Sequence, residues 1–407
     1  MAQKEFKLAP GCVELTLKLF DKLQASKSKE NILISPLFIQ TSMALTFAGA
    51  KGKTADEIAS AMKFVSNCPK EVGDSFCSVL EKFQNSPWIK IANKVYVSEG
   101  NVIKPEYAAV IEDHYHAAAE TIDFAKSEDA AKHINAWIES KTAGEITDIV
   151  SAKSLSCDTR LALINALYFK GEWRQKFRQE YTSDHNFWLN EEVSVKVKFM
   201  YVESTFRYDF IKELDCECLE LPYKDSDLSM LVLLPAKREG LKNLAKKLKN
   251  VNLLDLDKQL KEVFDKVVRF PKFKIEYSIE LSNVLKEVRI IWNIFFIIYI
   301  RGQPNMKKVT ANSTKSAEKN CMGISTAFGK RAEFSNMLEA GERFNISKVF
   351  QKSSIEVNEV GDIYPVPSAL LAFRTSREFD ANHPFLYFVW NKKNILFAGA
   401  FVNPTNV

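Results

Sequence analysis

Apolar positions in residues 12–150 recur mostly at helical spacing, and this part of the chain reads mainly as helix. Val13, Leu17, Phe20 and Leu23 stand three or four apart, so a core helix begins almost at once. SPLFIQTSMALTFAGA (35–50) predicts another, with Ser35 as its cap and Pro36 at its first position. In SEDAAKHINAWIESKTAGEI (127–146), Ala131, Ile134, Trp137 and Ile138 share one side of a third. Beyond residue 158 the period changes. TRLALINALYFKG (159–171) is a near-continuous apolar run, the signature of a strand buried on both faces. ECLELPY and LSMLVLLPA, within 217–236, predict two strands around a polar turn. VVRFPKFKIEYSI (267–279) predicts a further strand, and PFLYFVWNKKNILFAGAFVNP (384–404) a hairpin turning at Asn391-Lys392-Lys393-Asn394. Helices first and sheet later, with no internal repeats, predict a single α+β domain over residues 1–407.

One segment breaks the pattern. In VRIIWNIFFIIYIRGQPNMKKVTANSTKSAEKNC (288–321), 18 of 34 residues are Ile, Asn, Lys, Phe, Tyr or Met, the residue types of A/T-rich codons. Its apolar stretch IIWNIFFIIYI spans 11 residues, against the ~20 that a membrane-crossing helix needs. An insertion, most simply a retained intron, is the favoured explanation over a buried strand or a membrane-touching loop.

Composition narrows the function classes. With 46% hydrophobic and 26% charged residues the chain is ordinary for a protein with a sizeable core. A net charge of +5, from 56 cations and 51 anions, has no dense Lys/Arg stripe with interleaved aromatics, which argues against a nucleic-acid partner. AKKLKNVNLLDLDKQLK (245–261) is locally basic but has helical apolar spacing, and reads as a solvated helix face. The seven cysteines, at 12, 68, 77, 157, 216, 218 and 321, form no disulfide framework and are expected to be reduced and mostly buried. The opening MAQKEFKLAPGCVELTLKLF has neither the apolar region nor the cleavage site of a secretory signal. Taken as a complete N-terminus it predicts a chain that stays inside the cell; a missing first exon would make the protein secreted.

Catalytic patterns are absent. The sequence holds no G-x-S-x-G, H-E-x-x-H, C-x-x-C or P-loop, and 14 glycines in 407 residues leave little for phosphate-cradling loops. DHYH (113–116) would place two imidazoles on one side of a strand, without a third ligand nearby. No enzyme, no metal site and no cofactor is expected.

Six stretches carry a resemblance. NILISPLFIQTSMALTFAGAKGKTADEI (31–58), LINALYFKGEW (163–173), ELPYKDSDLSMLVLLP (220–235), FPKFKIEYSIEL (270–281), SSIEVNEVG (353–361) and HPFLYFVWNKKNILFAGAFVNP (383–404) together resemble an arthropod-type serpin, in family order and over almost the whole chain. Only 288–321 finds no counterpart; without those 34 residues the 407-residue chain would have 373, the usual size of a serpin core.

The resemblance implies a fold of about nine helices over three β-sheets, with a reactive-centre loop at about 359–379 exposed above a central sheet. It also implies a mechanism. A serine protease attacks the loop as substrate and forms an acyl-enzyme; the cut loop then inserts into the central sheet as a new strand and distorts the protease. Counting from Gly361 and from HPF lands near residues 373–375, with Thr375 in the strict forward register. Arg374, which requires a loop one residue short, is the best bait and makes Arg374–Thr375 the reactive bond, because an arginine fits a trypsin-like protease with a carboxylate at the floor of its pocket. Phe373 and Arg377 are the runners-up. Glu359, Gly361 and Asp362 correspond to the hinge, and Ser35, Asn165 and Trp173 to the shutter and breach beneath the insertion site. A polar Asn165 within LALINALYF needs a buried partner, and Ser35 is the family-based candidate, so Asn165, Ser35 and Trp173 are expected to lie together. The partner implied is a serine protease, engaged by a monomer, with no membrane.

The loop also departs from the family. Inhibitory members follow the hinge glycine with Thr or Ser and then small residues; here Asp362-Ile363-Tyr364-Pro365-Val366-Pro367 stand there. Insertion would bury Asp362, Tyr364 and Val366, and an unpaired buried carboxylate costs several kcal/mol or must be protonated. Pro365 and Pro367 each remove a ladder donor from a central strand. These features point to a second reading, a non-inhibitory serpin that acts as protease substrate, carrier or chaperone. Two further departures are Phe38, where the family has Ser, and Gln351, where it has a central His.

Overall fold

The apolar run after residue 158 becomes β4 (Leu161–Phe169), nine residues long and buried throughout. A strand with both faces covered needs structure on each side. In its own sheet β4 is flanked by β2 (Ile89–Ser98) and β11 (Ile346–Val357). β10 (Phe273–Glu280) and β3 (Ala118–Ile122) close the order β10-β11-β4-β2-β3. The computed structural model describes residues 15–17, 19–20, 23, 29–64, 66–84, 86–249, 251–287, 324–339, 344–359 and 378–405. The segment 288–321, most of the bait loop and its hinge lie outside the described residues.

The second sheet has nine strands. Its path starts with β1 (Ile32–Ile34), β14 (Ile395–Phe401), β13 (Phe385–Trp390), β8 (Ser229–Pro235) and β7 (Cys216–Pro222). It continues through β6 (Ser194–Ile211) and β9 (Lys261–Pro271) to β12 (Phe379–Asp380), while β5 (Ser183–Trp188) pairs with β6 off this path. The hairpin at Asn391–Asn394 forms as expected, with Asn391 N–H donating to Asn394 O at 3.2 Å. Where three sheets were implied, two hydrogen-bonded sheets occur among the described residues. The reason is β6. Its 18 residues run unbroken, pairing with β5 and β9 in the first part and with β7 at the end, past a register shift against β9 between Ser204 and Phe206.

Eight α-helices have full bounds among the described residues, and Leu15, Leu17, Phe20 and Leu23 are helical as well. The helix Ser127–Lys141 buries Ala130, Ala131, Ile134 and Ile138 over the face of the five-stranded sheet that presents Tyr96, Ala162 and Ile164. The basic stretch 245–261 spans parts of two helices, Leu241–Leu248 and Leu253–Gln259, which bury their leucines and expose lysines.

Several expectations are corrected. Residues 12–150 are not mainly helical throughout, since β2 and β3 lie inside them. In β2 the alternation IKIANKVYVS is masked because both faces are covered along much of its length. The strand expected over 267–279 is two strands: the ladder with β6 ends at Pro271, and Phe273 pairs with Val357 of the other sheet. DHYH is a helix end rather than a strand, with His116 closing the helix Pro105–Tyr115 in a left-handed conformation (φ 49°). Of the five described cysteines, all free, Cys216 and Cys218 are buried, but Cys68 and Cys157 are exposed.

Candidate functional site

The centre of the five-stranded sheet is a parallel pair, β11 beside β4, in register from Ile346–Leu161 to Ile355–Phe169 with one irregularity near Ile346. β11 ends at Val357, and the residues that follow lead into the segment expected to be the bait. Two polar clusters occupy this strand, one mid-seam and one at its exit.

The mid-seam cluster is built on Gln351. Its Oε1 accepts from the backbone N–H of Ser35 at 2.9 Å, and its Nε2 lies 3.1 Å from the Ser35 carbonyl and 3.0 Å from Asn165 Oδ1. Asn165 in turn donates through Nδ2 to Asn93 Oδ1 on β2. Ser35, Asn93, Asn165 and Gln351 are all buried, so each bond avoids the cost of an unpaired polar group in the core. Ser35 and Asn165 thus share one network, but through Gln351 rather than in direct contact.

Ser35 does not act as the expected side-chain cap. It holds the N-cap position of the helix Pro36–Gly49, with Pro36 in the first turn, but makes no side-chain capping bond. Its hydroxyl donates instead to Leu396 O of β14 at 2.5 Å, and Gln351 takes its N–H. The hydroxyl therefore ties the start of the helix to the second sheet.

Trp173 is not with them. It lies at the exit cluster, seven residues of β11 away from Gln351, or about 23 Å along an extended strand. Its indole Nε1 donates to Asn358 O at 2.9 Å, and its ring stacks on Tyr223 with centroids 4.5 Å apart. Gly171 permits this approach, because a Cβ there would meet the Tyr223 ring at 2.5 Å. The position follows from chain direction: Trp173 comes four residues after β4 ends at Phe169, beside the end of the parallel β11.

Glu356, Asn358 and Glu359 complete the exit cluster. Glu356 pairs with Lys170 Nζ at 2.7 Å and accepts from Tyr168 OH and Asn358 Nδ2. Glu359 pairs with Lys272 Nζ at 2.8 Å and accepts from Thr182 Oγ1 at 2.7 Å. Burial pushes the Glu359 carboxyl up, but the bonds from Lys272 and Thr182 outweigh it and hold it below the ordinary value; Glu356 shows the same balance, with Lys170 as the chief counterweight. Past residues 360–377, Glu378 pairs with Arg269 at 3.1 Å, and Phe379 and Asp380 join β9 as β12.

Of the residues singled out from the sequence, Ser35, Asn165, Trp173 and Glu359 have these places. Gly361, Asp362, Phe373, Arg374, Thr375 and Arg377 lie outside the described residues. Asn93, Thr182 and Lys272 were not identified as site residues, and Gln351 was noted only as a departure from the family's central His. For Gln351 the only signal was the family comparison, which has a histidine at this position; the strand ISKVFQKSSIEV is itself largely polar and does not mark Gln351 as buried. Thr182 and Lys272 carry no local signal.

The sequence model of the family described as Serpin (serine protease inhibitor) matches residues 11–295 and 313–404. The leukocyte elastase inhibitor of Xenopus tropicalis is 30% identical over 412 residues, covering 98% of this chain and 99% of that one. The antitrypsin of Bombyx mori is 29% identical over 405 residues, covering 97% and 94%. Among solved structures, Serpin48 of the insect Tenebrio molitor aligns with a TM-score of 0.81 at 29% identity over 99% of both chains.

Proposed function

The chain belongs to the serpin family, and from that membership we propose that it inhibits a serine protease as a suicide substrate, acting as a monomer. The bait runs from 359 to about 379 and is cut at Arg374–Thr375 by a trypsin-like enzyme.

The observation that carries this reading is the parallel β11–β4 pair. A chain that leaves the end of β11 and folds back into that seam runs antiparallel to both neighbours. It replaces one parallel ladder with two antiparallel ones, each slightly more stable per residue. The closed sheet can therefore gain a strand once the bait is cut and its N-terminal part is released. Opening the seam breaks Gln351 to Asn165, while Gln351 to Ser35 and Asn165 to Asn93 lie on separate sides of it and can persist. Insertion is irreversible strand addition, and the bound acyl-enzyme is carried with the strand. The names of the Xenopus and Bombyx relatives support inhibition as the outcome.

A second reading rests on the hinge. Asp362, Pro365 and Pro367 oppose insertion, and slow insertion lets the acyl-enzyme hydrolyse, which leaves a cut serpin and a free protease. Incubation with trypsin separates the two: a denaturant-resistant covalent complex supports the inhibitor, and cut chain without complex supports the non-inhibitory member.

We also propose that 288–321 is no part of the native serpin core. The family match leaves 296–312 of it unmatched but extends over 288–295 and 313–321, so the unmatched stretch is narrower than the expected insertion.

A further inference from the structure

The two ends of the bait segment are fastened to one small surface. On the N-terminal side Thr182 holds Glu359, and on the C-terminal side Arg269 holds Glu378. Between these anchors lie two tyrosines. Tyr181 precedes Thr182 in the short helical turn Gln179–Tyr181, and Tyr201 of β6 is the ladder partner of Arg269. Their rings meet edge to face with centroids 5.9 Å apart, and Tyr181 remains 45% exposed. The Arg178 guanidinium lies 5.7 Å from the Tyr181 ring centroid and has no carboxylate partner among the described residues. Tyrosine and arginine are among the residue types enriched at the energetic centres of protein interfaces, and a guanidinium near an aromatic ring adds a cation–π attraction.

We propose that Arg178, Tyr181 and Tyr201 form a second contact surface for the attacking protease, separate from the bait itself. The inference rests on the bait-loop reading above. Residues 360–377 leave from Glu359 and return at Glu378, so a protease that holds their middle in its cleft has its body over the surface between these anchors. The partner feature that fits is a loop at the rim of the protease cleft, with an apolar side chain to cover Tyr181 and a carboxylate to pair with Arg178. Such a contact would raise the encounter rate and select among proteases that accept the same bait residue. It would not alter the later competition between insertion and hydrolysis, because that begins only after the bond is attacked.

The test measures the second-order rate constant for attack on the full chain by trypsin, chymotrypsin and pancreatic elastase, comparing wild type with Tyr181→Ala and Arg178→Glu. The fraction of attacked chain that ends as covalent complex is recorded separately. For the protease that attacks wild type fastest, both variants are expected to lower the rate about tenfold, roughly 1.4 kcal/mol. The Arg178→Glu effect should shrink as salt is raised. The partition and the thermal midpoint should stay unchanged, and Tyr181→Phe should keep the wild-type rate. Equal rates for all chains with all three proteases overturn the second surface, even where covalent complex forms. If wild type is cut but never trapped, the inhibitor reading fails, and the rates still decide the surface on their own.

Discussion

Gln351 Nε2 donates to Asn165 Oδ1 at 3.0 Å across the seam between two parallel strands, and the same amide grips both backbone groups of Ser35. One side chain therefore closes the central sheet and joins it to the first turn of a buried helix. Gln351→Leu removes all three bonds and strands the Ser35 N–H and one lone pair of Asn165 in the core. A loss of about 2–4 kcal/mol is expected from those unpaired groups, read as a lower denaturant midpoint. An unchanged midpoint would show that the network contributes little.

A second expectation concerns acid. The folded Glu359 carboxyl sits below its ordinary value of 4.5, so its stabilising contribution is complete above that value and disappears as pH falls through the lowered folded value. Lys272→Met removes the chief partner. The variant should melt earlier than wild type near neutral pH, and the gap should narrow as pH falls below 4.5 through the lowered folded value. A gap that stays constant across the series would locate the effect of Lys272 elsewhere.

The Ser353 and Ser354 hydroxyls are buried in β11 without a hydrogen-bond partner among the described residues. Replacing either by Ala removes an unpaired polar group at almost constant shape and should raise the denaturant midpoint by about 1 kcal/mol. Because the closed sheet gains this stability, a smaller share of attacked chain should end as covalent complex. Destabilisation by both substitutions would contradict the assignment.

For the bait, Asp362→Thr together with Ala at 364, 365 and 367 should raise the yield of covalent complex with trypsin relative to cut product. Small side chains lower the burial cost, and two ladder donors return. Adding Arg374→Ala should abolish the complex with trypsin while the fold persists; a surviving complex would move the bait to Arg377. No gain from the fourfold change would show that the hinge is not the limiting step.

Deleting 288–321 should leave the thermal midpoint intact, since its flanks are already packed: Leu285 and Ile324 are both buried. Sequencing of transcripts gives the companion test, and abundant mature message that contains the segment would contradict the intron reading.

What could be read from the sequence follows from where the physical signal is local. The near-continuous apolar run at β4, the β13–β14 hairpin and the helix Ser127–Lys141 announce themselves within a few residues, because periodicity and turn chemistry are short-range. β2 hid because it is covered on both faces along much of its length, and the break after Pro271 hid because nothing local says that Lys272 leaves one sheet for another. The site was legible as residue types and not as partners. Asn165 required a buried partner, but Gln351 stands 186 positions away, and Thr182 meets Glu359 over 177.

The pairing of β1 with β14 sets a schedule for biosynthesis. Ile32, Leu33 and Ile34 are buried and take their ladder partners from Ala400, Gly399 and Ala398, which are translated long after them. While the ribosome is still at work, this short apolar strand has no native edge to dock on, and the helix that Ser35 fastens to Leu396 lacks its anchor. The second sheet can close only after residues 398–400 have been made, so the nascent protein carries unpaired strand edges through the long stretch of synthesis between the two strands. Truncation before residue 395 should therefore yield an aggregation-prone product rather than a smaller folded one.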